Sequence, residues 1–140
     1  AVLADHIASG SVDSMFVNHP EPPERTGGTD DSQGQHLYTD PVFCEMRRCL
    51  KVGGTLTIAT DNRPYAESLA AAAARVAPAS FKSAKVRRSR GVYTEVDGVE
   101  VHIGDPGEDQ GHVANSSSYF DRLWSNGKKK GRWYLYLHAS

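Results

Sequence analysis

Two carboxylates in this chain sit where residue type and spacing favour chemistry. Glu21 lies in the run Asn18-His19-Pro20-Glu21-Pro22-Pro23-Glu24-Arg25. Its three prolines fix φ and withdraw backbone donors, so a strand that reaches Asn18 cannot run on into a ladder, and the carboxylate is held on a stiff loop. Such a loop is a costly way to make a plain turn and reads as a site. Asp61 follows Thr55-Leu56-Thr57-Ile58-Ala59-Thr60 and precedes Asn62-Arg63-Pro64. Two readings stay open for it: a site residue at the carboxyl end of a strand, or the N-cap of the next helix. A carboxylate fixed in either place accepts a fork of two N–H donors through charge-assisted hydrogen bonds.

Few other residues have the spacing of a reactive centre. Of six histidines only His19 stands beside site-like residues, and no His/Cys spacing suggests zinc, so no metal is expected. Cys44 and Cys49 are five positions apart in an expected helix, about 140° around its axis, and read as reduced packing residues rather than a pair. Basic residues gather at Lys82, Lys85, Arg87, Arg88 and Arg90 and again at Lys128, Lys129, Lys130 and Arg132. These groups are either a seat for a polyanion or an ordinary solvated surface.

The elements that must position the carboxylates can be read from the pattern. Val2, Leu3 and Ile7 have the spacing of a helix end that Gly10 stops, and residues 11–18 read as a strand that is apolar at Met15-Phe16-Val17. Residues 26–35 are rich in Gly, Asp and Ser and form a surface loop. Asp40-Pro41 starts a helix expected to run through Leu50, with Val42, Phe43, Met46, Cys49 and Leu50 facing the sheet. Gly53-Gly54 is then the helix stop or tight turn before the buried strand 55–60. Another helix follows from about Arg63 to Val76, its alanine run nearly featureless and ended by Pro78. Residues 81–90 suggest a charged edge strand, 91–103 a β-hairpin about an Asp97-Gly98 type I′ turn, and 132–138 a last strand with both tryptophans in the core.

At 140 residues the chain has the size of one domain. No stretch approaches the roughly 20 apolar residues of a membrane span, and Ala1-Val2-Leu3-Ala4-Asp5-His6 lacks the order of a signal peptide, so a soluble intracellular protein of cytoplasm or nucleus is expected. The net charge of −1 hides an asymmetry: residues 1–70 hold ten Asp/Glu against five Lys/Arg, and 71–140 hold seven against eleven. A helix, diglycine, strand, acidic tip and helix in succession is the connectivity of an αβα unit beside a parallel sheet.

Taken together, Asn-His-Pro-Glu-Pro-Pro-Glu-Arg (18–25), Arg-Arg-Cys-Leu-Lys-Val-Gly-Gly (47–54), Thr-Leu-Thr-Ile-Ala-Thr-Asp (55–61) and Pro-Tyr-Ala-Glu (64–67) resemble the C-terminal half of the tRNA (guanine-N7-)-methyltransferase family. Glu21 occupies the place of the Asp in that family's Phe-Pro-Asp-Pro-Trp motif, Arg25 that of a basic residue four positions on, and Asp61 that of the carboxylate in Ala-Thr-Asp. Ser118-Tyr119-Phe120-Asp121 echoes the family's Thr-x-Phe-Glu. The departures are Glu for Asp, Pro23 for Trp, Ser and Asp for Thr and Glu, and a neutral-to-acidic 26–35 loop where the family is basic.

The resemblance implies an α/β fold: a truncated Rossmann-like methyltransferase sheet, the last four strands of seven, mixed parallel and antiparallel and flanked by helices, with 91–103 as a hairpin insertion. It implies tRNA as substrate and S-adenosylmethionine as cofactor. Glu21 would be the catalytic carboxylate, Arg25, Asp61, Ser118 and Asp121 would bind substrate, and Asn18, His19 and Glu21 would face the cofactor. No GxGxG is present, and Gly53-Gly54 precedes a strand rather than following one. The chain is thus expected to be a truncated or divergent homologue of the enzyme. The alternative is a non-catalytic module that assembles through the open edge of strand 11–18, as a homodimer or with a partner subunit.

Overall fold

The computed structural model describes residues 5–18, 20, 40–76, 80–84, 86, 91–104, 106 and 131–140. Strand β1 (Val12–Asn18) is followed by helix α1 (Asp40–Cys49), strand β2 (Leu50–Thr60) and helix α2 (Arg63–Arg75). Then come β3 (Phe81–Ser83), β4 (Val92–Val96), β5 (Val99–Ile103) and β6 (Trp133–Ala139). The six strands form one sheet in the order β1-β2-β6-β5-β4, with β3 also paired to β6. Only β1 and β2 are parallel; β6 runs antiparallel to β2, β3 and β5. This is a mixed α/β sheet, as the sequence suggested.

β2 lies between β1 and β6, and the reason is its composition. Leu56, Thr57, Ile58, Ala59 and Thr60 are all buried, an unbroken run on both faces of the strand. Against it α1 buries Phe43, Met46 and Cys49, spaced three apart. Helix α2 buries Tyr65, Ala66, Leu69, Ala70, Ala72 and Ala73. The alanine run is therefore not featureless: three of its members form the contact, and their small side chains let the helix lie close to the sheet.

The start of β2 departs from expectation. The helix ends at Cys49, Leu50 already belongs to the strand, and Gly53-Gly54 falls inside β2 rather than ending α1. The helix needs no glycine stop because its last carbonyls are taken from outside: Gly10 N–H donates to Arg48 O at 2.8 Å and Ser11 N–H to Cys49 O at 2.9 Å. The diglycine serves the sheet instead. Register passes from Val12 opposite Leu50 to Ser14 opposite Thr55, so residues 51–54 carry an irregular bulge, with Gly53 at φ 82°. A Cβ on Gly54 would stand 2.9 Å from Lys51 O and 3.1 Å from Asp13 O.

Two other expectations change in detail. The charged strand stops at Ser83, although β3 does pair with β6 alone. Cys44 is exposed and Cys49 buried, so only the second packs. The hairpin is as read, with Val96 opposite Val99 and positive φ at Asp97 (49°) and Gly98 (87°). No described helix is long and apolar enough to cross a membrane.

Candidate functional site

The one parallel pair places two strand ends side by side. Asn18, the last residue of β1, is in register with Ala59, one step before Thr60 and two before Asp61. Neighbouring strands lie about 4.8 Å apart, so Asn18 and the Thr60-Asp61 tip share one end of the sheet. On the other flank of β2, Thr60 is opposite Trp133, the first residue of β6.

The turn out of β2 removes one of the two readings of Asp61, that of helix N-cap. Asn62, not Asp61, is the N-cap of α2: its Oδ1 accepts from Tyr65 N–H at 2.8 Å and its carbonyl from Ala66 N–H at 3.0 Å. Thr60 Oγ1, fully buried, accepts from Asn62 N–H at 3.1 Å and locks the turn. Capping duty is thus discharged by the neighbours on either side. Asp61 stands between them, half-buried, at the strand end where ligands gather in parallel sheets.

Glu21, His19, Arg25, Ser118 and Asp121 lie outside the described residues, as do Lys128, Lys129 and Lys130. Of the expected site, the structure brings Asn18 and Asp61 to adjoining positions. The chain is similar to a tRNA (guanine-N(7)-)-methyltransferase. Over 69 residues it is 38% identical to the protein of that name from Stutzerimonas stutzeri (strain A1501), a match that takes in 49% of this chain and 27% of the relative. The matched segment is thus little more than a quarter of the relative's length. No family model matches the chain.

A sulfonium nucleoside cofactor calls for a Gly-rich loop that brings backbone close to it. Among the described residues no Gly-rich loop joins the end of a strand to the start of a helix; the one such turn reads Thr60-Asp61-Asn62. The described tip does not by itself form a cofactor cradle. No group of three or more His, Cys, Asp or Glu among the described residues is placed to hold a metal ion.

Two features beside the tip were not read from the sequence. Arg63, the first residue of α2, places its guanidinium carbon 5.3 Å from the centre of the Tyr93 ring, and Tyr93 meets Trp133 edge to face at 6.5 Å. Trp133 is half-buried and packs against the margin of the core rather than inside it. Further in, His102 is buried and stacked on Tyr134 at 5.0 Å, with Nε2 3.4 Å from Glu100 Oε2. Burial holds its pKa below the ordinary histidine value, Glu100 opposing. The hairpin alternation announced both strands, but a ring contact across two strands and a helix has no linear signature.

Proposed function

We propose that this chain is a divergent homologue of the tRNA (guanine-N7-)-methyltransferases and that its paired strand ends grip a guanine for methylation at N7. What supports the reading is the place of Asp61: a carboxylate at the carboxyl end of β2, beside the end of β1, with helix capping done by Asn62. The similarity to an enzyme of that name points the same way.

The chemistry asks little of a general base. Guanine N7 carries an in-plane lone pair and needs no deprotonation, so alignment is the main demand. Guanine N1–H and N2–H form a fork that one carboxylate accepts with two charge-assisted bonds, and Asp61 and Glu21 are the acceptors in this proposal. Arg25 binds phosphate because a base taken from its stack brings its backbone along. Ser118 and Asp121 complete the pocket, and Asn18, His19 and Glu21 line the cofactor side. S-adenosylmethionine, when bound, supplies the electrophilic methyl group.

Binding tests the grip directly. Titration of guanosine 5′-monophosphate by calorimetry should show Asp61→Asn weakened by about 5- to 150-fold, the worth of one bidentate base contact. Unchanged affinity removes Asp61 from the site. With labelled S-adenosylmethionine and bulk tRNA, Glu21→Ala should abolish methyl transfer, and full transfer by that variant removes Glu21.

A second reading rests on the sheet edge. β1 is an end strand of the sheet among the described residues, and Phe16 on it is 41% exposed. Apolar surface on an end strand favours assembly with a second copy of the chain.

A further inference from the structure

Outside the strand tip, one cluster combines charge, aromatic surface and an unusual backbone: Arg63, Tyr93 and Trp133. It adjoins the tip, since Arg63 is two residues past Asp61 and Trp133 is the register partner of Thr60. We propose that this ledge is a nucleic-acid contact, in which the guanidinium of Arg63, placed over the Tyr93 ring, presents its N–H donors to a phosphodiester of the RNA strand that delivers the gripped base. The inference rests on the proposed function and adds to it the surface that holds the neighbouring nucleotide.

Three observations carry it. First, Arg63 is exposed, and among the described residues its one recorded contact is the Tyr93 ring. Four other described cations are engaged with oxygen acceptors. Arg75 pairs with both Asp40 oxygens at 3.0 and 3.1 Å, Arg48 with Glu45 at 3.0 Å, and Lys51 with Asp13 at 3.0 Å. Arg47 donates to Leu50 O at 3.3 Å and to Ser140 O. A guanidinium already placed over a ring loses less freedom when its donors meet an anion, and its planar fork suits phosphate.

Second, the backbone is shaped for the ring. Val92 is opposite His102 and Thr94 opposite Val101, so Tyr93 is the extra residue of a β-bulge in β4. A bulge re-aims a side chain at the cost of local pairing, and this one turns an aromatic ring, 36% exposed, toward Trp133 and Arg63. Third, the placement is poor for stability alone. Arg63 opens α2, where the helix dipole opposes a cation, and the first turn holds no acidic residue to offset it.

The test is fluorescence anisotropy of the full chain with labelled bulk tRNA over a range of salt. Arg63→Ala should raise Kd about 5- to 20-fold at low salt and reduce the slope of log Kd against log salt by about one, the mark of one lost phosphate contact. Tyr93 is a positioning residue: Tyr93→Ala should weaken binding less than Arg63→Ala does, Tyr93→Phe should leave it unchanged, and the double variant should bind no worse than Arg63→Ala. Guanosine 5′-monophosphate, which has no neighbouring nucleotide, should bind all of these as it binds wild type. Wild-type affinity and salt slope in Arg63→Ala overturn the inference while leaving the Asp61 titration to judge the proposed function. Failure of wild type to bind tRNA at all overturns both. Arg63→Gln, which keeps a helix-favouring side chain without the charge, should match Arg63→Ala, and a wild-type result for it counts equally against the ledge.

Discussion

At the scale of single residues, the β2 tip divides its local duties between neighbours. Thr60 and Asn62 make the turn and the cap, so helix capping does not fall to the carboxylate between them. His102 presents the reverse case, a titratable group whose consequence is stability. Above about pH 6.5 the imidazole is neutral in folded and unfolded chains alike. As pH falls below that value the unfolded chain takes up a proton that the folded chain, with its lowered pKa, does not, and stability declines until the folded value is passed. Urea unfolding at pH 7.5, 6.5 and 5.5 should show a smaller fall for His102→Gln than for wild type. An equal fall in both would assign the acid sensitivity to other groups.

At the scale of elements, the diglycine shows how a local signal is used by a distant partner. Gly53-Gly54 has the composition of a helix stop, yet the α1 carbonyls are already satisfied by residues 10 and 11, so the glycines are left to bulge β2 against β1. Space, more than φ, decides Gly54. Gly54→Ala sets a methyl 2.9 Å from Lys51 O, a backbone atom that cannot swing aside, and should cost about 1–3 kcal/mol in chemical denaturation. A neutral result would mean that the bulge relaxes freely. The clasp between the two helices, Asp40 with Arg75, is bidentate but half-exposed; the arginine holds the Asp40 carboxyl below its usual range, and water screening limits the pair to about 0.2–1 kcal/mol.

At the scale of the whole molecule, the sheet formed by the described residues has a buried middle, β2 with β6, and β1 and β4 as its end strands. If the β1 edge serves assembly, sedimentation equilibrium should show a dimer that Phe16→Lys dissociates; a monomer at all concentrations would discard the second reading. Which parts of this were legible in the sequence follows from the range of the forces. The buried run 56–60, the amphipathic stripe of Phe43, Met46 and Cys49, and the Asp97-Gly98 hairpin are set by neighbours along the chain, so periodicity and turn chemistry sufficed to find them. The strand-tip position of Asp61 was legible for the same reason. The cap, which fell to Asn62, was not, because adjacent Asp and Asn are equal candidates until the backbone chooses between them. The ledge of Arg63, Tyr93 and Trp133 was decided only by tertiary structure, since a helix start, a bulge and a strand far apart in sequence must first be paired before a guanidinium can lie on a ring.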